Sequence, residues 1–248
     1  MYPVLFRIGD FEITTFGVMV AVGALVGLWI FRRELARSRL PDAAADAAIV
    51  GLIGGLVGAK LLYAIEHAGE APLFSLLTSR AGMSWFGGLL GGVGAGVGLI
   101  LHKGWPLLPV MAAATPALAV GHAIGRIGCF LVGDDYGRVT DLPWGVAFPE
   151  GLPPTLEPVH PAQLYEMAWL FAVAWLLVGW RRRGVADRRV FGGYLALTGA
   201  ARFLIEFIRL NAQVALGMTV AQFVSLGLVA VGVALLATPG PAQASRER

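Results

Sequence analysis

The chain is poor in charge. Only 14% of its 248 residues are Asp, Glu, Lys or Arg, against about 25% in a soluble domain. A soluble globule is therefore excluded. Cysteine is nearly absent as well: Cys129 stands alone, so no internal disulfide can form. His-Glu-x-x-His, Cys-x-x-Cys, Gly-x-Ser-x-Gly and any cluster with zinc spacing are all missing, which leaves metal and serine-hydrolase mechanisms without support. No Gly-Lys-Ser/Thr follows a strand, so the glycines of Met83-Ser84-Trp85-Phe86-Gly87-Gly88-Leu89-Leu90-Gly91-Gly92 are not a phosphate loop. They read as close-packing positions, with Trp85 as an interface anchor. No tandem repeat is visible. No cofactor and no metal are expected.

What is present is apolar. Hydrophobic residues make up 57% of the chain, and mean hydropathy is +0.72. Apolar windows of about 20 residues read as membrane-spanning helices. Seven are expected, at about 14–32, 45–65, 86–102, 107–127, 164–180, 191–208 and 217–237. The fold class is thus an all-α polytopic membrane protein. One domain is expected over residues 1–238, with a short polar tail at 239–248. The 34 glycines suit close helix–helix approach in lipid. A net charge of +3 could suggest nucleic acid as a partner, but the positions of the charges suggest topology instead.

Orientation follows the basic residues of the short loops. Arg32, Arg33, Arg37, Arg39, Lys103, Arg181, Arg182, Arg183, Arg188, Arg189, Arg246 and Arg248 all fall on one side if seven spans alternate. The other side has Arg7, Arg80, Arg138 and Arg209, mixed with Asp10, Glu12, Glu66, Glu70, Asp134, Asp135, Asp141, Glu150 and Glu157. The N-terminus is expected outside and the C-terminus in the cytoplasm. No cleavable signal peptide is expected, since only Arg7 precedes the first apolar run. The longest connection, near 128–162, falls outside; a long loop of this kind is usually functional. Residues 67–85 form a second outer excursion.

Three basic residues lie inside the spans: Lys60, Arg126 and Arg202. A guanidinium at membrane depth costs roughly 2.5–3.5 kcal/mol on insertion scales and cannot shed its proton. The abundant anions of a bilayer are lipid phosphates, so Arg126 and Arg202 are candidate phosphate ligands. Glu206 lies one turn after Arg202 and can pair with it, structurally or to orient it. Lys60 lies near the outer boundary and can equally be structural. His122 shares a helical face with Arg126; it is either an interhelical hydrogen-bond donor or a general base. His160-Pro161-Ala162-Gln163-Leu164-Tyr165-Glu166 leads into the fifth span and is rich in hydrogen-bonding side chains.

These segments resemble the bacterial prolipoprotein diacylglyceryl transferase family. Gly125-Arg126-Ile127-Gly128-Cys129-Phe130-Leu131-Val132-Gly133-Asp134-Asp135-Tyr136-Gly137-Arg138 is similar to the family signature, a Gly-Arg-x-Gly-Asn-Phe core followed by Gly-Glu-x-x-Gly. Thr15-Phe16-Gly17, Met83–Gly92, His160–Glu166 and Ala201–Arg209 follow family order. The resemblance implies an enzyme of the bacterial inner membrane with its active site toward the periplasmic face. It would move the diacylglyceryl group of phosphatidylglycerol onto the lipobox cysteine thiol of a prelipoprotein, releasing glycerol phosphate. Its partners would be phosphatidylglycerol, prelipoprotein signal peptides and membrane lipids, with no nucleic acid. The two essential arginines would be Arg126 and Arg202, with His122 as a third catalytic candidate. Cys129, Asp134, Gly137, His160, Gln163, Tyr165, Glu166, Glu206, Arg209, Lys60 and Phe86 would serve substrate binding.

The chain departs from the family where Phe86 stands for a His proposed as general base. It departs also at Cys129 for Asn, Asp134 for Glu, Phe16 for Tyr and Thr198 for Tyr. Three accounts of the missing base stay open. His122 takes over; or no base is needed, because arginines lower the thiol pKa; or the chain is a divergent relative. A divergent relative would be a lipid-binding or transport protein, or a phospholipid-cleaving enzyme with another acceptor. A covalent intermediate on Cys129 is the less favoured role for that thiol.

Overall fold

A computed structural model describes residues 2–9, 11–79 and 82–238. The expectations placed on Asp10, Arg80 and the 239–248 tail with Arg246 and Arg248 lie outside the described residues. The architecture is mostly helical, with eight α-helices and three two-stranded hairpins among the described residues. Six helices are long and apolar enough to cross a membrane. These are α1 (Thr15–Arg37), α2 (Asp46–Glu66, with a 3-10 turn at Asp42–Ala45 before it), α4 (Trp85–His102), α5 (Leu107–Val132), α6 (Ala162–Arg182) and α8 (Val220–Ala237). Between α2 and α4 lies the short α3 (Leu73–Thr78), in the 67–84 connection. The remaining helix, α7 (Asp187–Ile205), carries Asp187, Arg188, Arg189 and Arg202 and is correspondingly less apolar.

The chain forms two compact units, Met1–Phe31 with Ala112–Arg248, and Arg32–Met111. In the first, α5 lies against α1 through glycine. A Cβ on Gly23 would meet the Gly121 carbonyl oxygen at 2.9 Å, and one on Gly128 would meet Met19 Cβ at 3.0 Å. α7 and α8 approach in the same way, Gly192 against the Gly232 carbonyl oxygen at 2.8 Å. Ala112, Val173, Leu177 and Val190 form a buried cluster beneath Trp180, Phe191 and Tyr194. Thr219 and Gln222 make a capping box that starts α8.

The second unit is built on α2 and α4. A Cβ on Gly91 would lie 2.3 Å from the Gly54 carbonyl oxygen, and one on Gly87 would lie 2.2 Å from that of Gly58. Backbone touches backbone there, as small residues allow in lipid. The expectation of close packing for the Met83–Gly92 glycines is thus met at Gly87 and Gly91.

Several boundaries differ from expectation. Val4–Ile8 (β1) pairs with Phe11–Thr14 (β2) ahead of α1, with Gly9 at φ +59° in the turn. The alternation of apolar and polar residues around a Gly-Asp pair is the signal for that hairpin. α5 runs on to Val132, so the outer connection begins at Gly133 rather than near 128, and Cys129 is helical. Nothing in Phe130-Leu131-Val132 breaks a helix. Gly133 does, at φ +74°, with Asp134 N–H donating to the Cys129 carbonyl at 3.1 Å and Gly133 N–H to that of Phe130 at 3.3 Å. That pair of bonds is a Schellman stop. α7 ends earlier than expected, at Ile205, and Glu206 caps it.

The connection from Gly133 to Pro161 has its own small core. Val146–Phe148 (β3) pairs with Thr155–Val159 (β4). Tyr136 stacks on Phe148, ring centroids 5.3 Å apart, and its hydroxyl donates to the Pro153 carbonyl at 2.6 Å. The remaining pair, Gln213–Ala215 (β5) with Met218–Thr219 (β6), precedes α8.

Candidate active site

The first unit gathers charge at one place. α5 brings Arg126. The Schellman stop turns the chain back, and Asp135, at φ +62°, places its Oδ2 2.7 Å from Arg126 Nη1. α6 supplies Glu166, whose two oxygens serve two helices. Oε2 lies 2.5 Å from Arg126 Nε, and Oε1 accepts from Arg202 Nη1 at 3.1 Å. Arg202, in the last turn of α7, also reaches Glu206 Oε2 with Nη2 at 2.9 Å. Beyond the helix, Arg209 Nε lies 3.8 Å from the same Glu206 oxygen, and Arg209 Nη2 pairs closely with Asp135 Oδ1.

The result is a closed ring of alternating charge: Arg126, Asp135, Arg209, Glu206, Arg202, Glu166 and back to Arg126. Every guanidinium touches two carboxylates and every carboxylate two guanidinia. Glu166 and the Glu206 side chain are almost fully buried, at 5% and 0% exposure. Isolated, each would be costly; paired around a ring, the charges sum to zero. The arginines spend only part of their five N–H donors on the ring, so donors remain for another anion.

The supporting contacts come from residues singled out in the sequence. Asn211 Nδ2 donates to Glu206 Oε1 at 2.6 Å. Gln163, fully buried, donates from Nε2 to the Asp134 carbonyl at 2.5 Å. Gly137 N–H donates to the His160 carbonyl at 2.9 Å. A Cβ on Gly137 would lie 2.7 Å from the Ile208 carbonyl oxygen, so only glycine lets these strands of chain meet. The Tyr165 hydroxyl accepts from Trp144 Nε1 at 2.7 Å and lies 3.4 Å from His160 Nδ1. Trp144 was not anticipated as a partner of Tyr165. A lateral cavity of about 170 Å³ lies beside Glu166, lined by Tyr165, Trp169, Ala201, Leu204 and Ile205.

His122 sits one turn before Arg126 on α5, exposed, where the charges of Arg126, Glu166 and Arg202 act on its ring. Cys129 is buried at 7% exposure, its sulfur 3.9 Å from Arg126 Nη1. Donor atoms of Cys129, Asp134 and Asp135 lie within 4.8 Å of one another. Such a trio could in principle hold a metal, but Asp135 is committed to Arg126 and Arg209.

The two adjacent carboxyls are shifted in opposite directions. Burial works against the charge on Asp135, yet hydrogen bonds and charge from Arg209 and Arg126 outweigh it and hold its carboxyl below the usual range. Burial pushes the Asp134 carboxyl up, beyond what the neighbouring Cys129 thiol and the arginines pull back. Asp135 is the member of the ring that the sequence reading passed over in favour of Asp134. A count could have shown that a third carboxylate was needed beside Glu166 and Glu206 for Arg126, Arg202 and Arg209, but not which of Asp134 and Asp135 supplies it.

Lys60 and Phe86 belong to the second unit. Lys60 Nζ donates to Ser79 Oγ and the Gly82 carbonyl, both at 3.0 Å, and lies 5.4 Å from the Tyr63 ring centroid. These contacts tie down the connection between α2 and α4. Phe86 packs edge-on against Trp85, centroids 5.2 Å apart, and offers no proton acceptor.

Comparison with known proteins covers nearly the whole chain. The family model described as prolipoprotein diacylglyceryl transferase matches residues 3–238. A phosphatidylglycerol–prolipoprotein diacylglyceryl transferase of Geobacter sulfurreducens is 39% identical over 219 residues, 84% of this chain and 82% of that protein. Similarly named proteins of Clostridium tetani and Vibrio vulnificus are 33% and 32% identical, over 94% and 95% of this chain and 96% and 90% of their own lengths.

Proposed function

This chain belongs to the prolipoprotein diacylglyceryl transferase family, and we propose that it transfers the diacylglyceryl group of phosphatidylglycerol to the lipobox cysteine thiol of prelipoproteins, releasing glycerol phosphate. One observation carries the reading beyond family membership. Arg126 and Arg202, on two different helices, converge on the single carboxylate of Glu166. That carboxylate stands where an anion is held by two guanidinia, and the two free oxygens of a phosphodiester can be held by guanidinium forks in the same way.

In this mechanism the lipid enters sideways from the bilayer and presents its phosphate to Arg126 and Arg202. The peptide thiol attacks the glyceryl C3 carbon. As the C3–O bond breaks, negative charge grows on the departing glycerol phosphate, and the arginines take up that charge in a site already organised by Glu166, Glu206 and Asp135. Arg209, Gly137 and Gln163 keep the outer segment against the ring. His160 and Tyr165, with Trp144, brace the start of α6. Cys129 packs against Arg126, and His122 is available beside the phosphate.

We infer seven spans, with α7 as the seventh, in the bacterial inner membrane. The N-terminus is outside, the C-terminus is cytoplasmic, and the site opens to the periplasmic face. Signal peptides of prelipoproteins and the surrounding lipids are the partners. The basic loops after α1, α4 and α6 support this orientation. The decisive test mixes the detergent-purified protein with phosphatidylglycerol and a synthetic lipobox peptide and follows peptide mass. A diacylglyceryl-sized gain, absent with Arg126→Ala, is expected. An unmodified peptide, with a relative active in parallel, would overturn the reading.

A further inference from the structure

With Phe86 unable to take a proton, the reaction needs another acceptor for the thiol proton. Four carboxylates stand at the site: Asp134, Asp135, Glu166 and Glu206. Three are locked in the ring, each against two arginines. Asp134 alone is outside it. Its Oδ1 is buried without a hydrogen-bond partner among the described residues. A buried acceptor with no donor is costly to maintain, and a donor brought by the substrate would satisfy it.

We propose that Asp134 is the general base of this chain, taking the proton of the incoming lipobox thiol. The proposal rests on the transferase reading above. The surroundings favour it. Cys129 and Arg126 face Asp134 from α5, Asp135 follows it in the chain, Arg209 acts on it from beyond α7, and Gln163 of α6 holds its backbone carbonyl. The Cys129 sulfur and an Asp134 carboxylate oxygen lie within 4.8 Å of each other, so a thiol sulfur fits near this group. His122 is the competing acceptor, but a proton taken there would add a positive charge beside Arg126 and Arg202.

The step balances. The thiol proton passes to Asp134, and sulfur forms a bond to glyceryl C3. The C3–O bond breaks, and its electron pair leaves on glycerol phosphate. Asp134 then returns the proton to outer water. A carboxyl pushed up by burial is better matched to a thiol than an ordinary one.

The test is transfer kinetics with Asp134→Asn and Asp134→Glu, using two acceptor peptides. One carries the lipobox cysteine and the other selenocysteine, already ionised at neutral pH. Loss of a general base costs about 10²–10⁴-fold. Asp134→Asn should fall by at least 100-fold with cysteine at pH 7, recover as pH rises toward the thiol pKa near 8.5, and lose less than about tenfold with selenocysteine. Its KM for phosphatidylglycerol should change little, and Asp134→Glu should keep most activity. An equal loss with both peptides and at every pH would reduce Asp134 to a positioning residue and overturn the proposal. So would near-normal activity of Asp134→Asn, or the selenocysteine rescue appearing in His122→Gln instead. If the unmodified protein transfers nothing to either peptide, the transferase reading itself fails and takes the base with it.

Discussion

Glu166 shows how much one side chain can settle at residue scale. It lies three residues after Gln163 and one after Tyr165, and a single carboxylate joins α5, α6 and α7 through Arg126 and Arg202. The fork geometry of Arg126 is what lets it meet Glu166 with Nε and Asp135 with Nη1 at once. Lysine keeps the charge but has one donor atom for both partners. Arg126→Lys is therefore expected to lower transfer rate by about 10²–10³-fold, with the protein still folded by its unfolding midpoint. Asp135 makes a prediction of the opposite kind, about stability. Its carboxyl is held below the usual range, so the ionised form stabilises the fold above the unfolded pKa of about 3.9, and that contribution fades as pH falls through the lower folded value. Asp135→Asn should cost about 1–2 kcal/mol at pH 7, a figure discounted because the side chain is 39% exposed. The difference from the parent should begin to narrow in unfolding measurements as pH falls below about 3.9 and close below the lower folded value. A gap independent of pH would assign the loss to packing.

At the scale of elements, the α2–α4 pair is the sharpest case. Gly91 faces a carbonyl oxygen that its Cβ would approach to 2.3 Å, while Gly94, three residues on, has nothing within 4 Å. Gly91→Ala should lower stability by about 1–3 kcal/mol through overpacking. Gly94→Ala, on the same helix, should be neutral or slightly stabilising through propensity. Equal midpoints for the two in thermal unfolding would show that the helices can part freely. The helices themselves were legible from hydropathy, because a span of 18 or more apolar residues has few other readings. Their ends were less so. α5 overran its expected end because only Gly133 can stop it, and α1 is preceded by a hairpin whose signal is weak beside the apolar run that follows. Arg126, Arg202 and Glu206 could be picked out because charge in an apolar span is conspicuous. Asp135 could not be told from Asp134, since which of two adjacent carboxyls turns inward is decided by the backbone at φ +62°. The ring as a whole was beyond sequence reasoning. It closes between positions up to 83 residues apart in number, Arg126 to Arg209, and only tertiary packing sets which carboxylate each arginine meets.

For the whole molecule, topology is the quantity that function depends on, because the prelipoprotein cysteine and the lipid headgroup must meet on one face of the bilayer. The basic loops argue for a cytoplasmic Arg181–Arg189 connection and an outer Gly133–Pro161 connection. The two hypotheses to separate are this arrangement and its inverse, and the chain provides a quiet background for doing so. Its single cysteine, Cys129, is buried at 7% exposure and should react slowly with a bulky reagent. Two new cysteines report the two sides. Leu156, on β4, is 83% exposed, and Ala186, just before α7, is exposed as well. In intact spheroplasts, a membrane-impermeant maleimide should label Leu156→Cys within minutes and Ala186→Cys only after the membrane is opened. The reverse order would invert the orientation and put the charge ring on the cytoplasmic side, where a transferase acting on exported precursors could not work. Labelling of both before opening would mean that the chain between them crosses an even number of times, removing α6 from the list of spans and with it the seven-helix count.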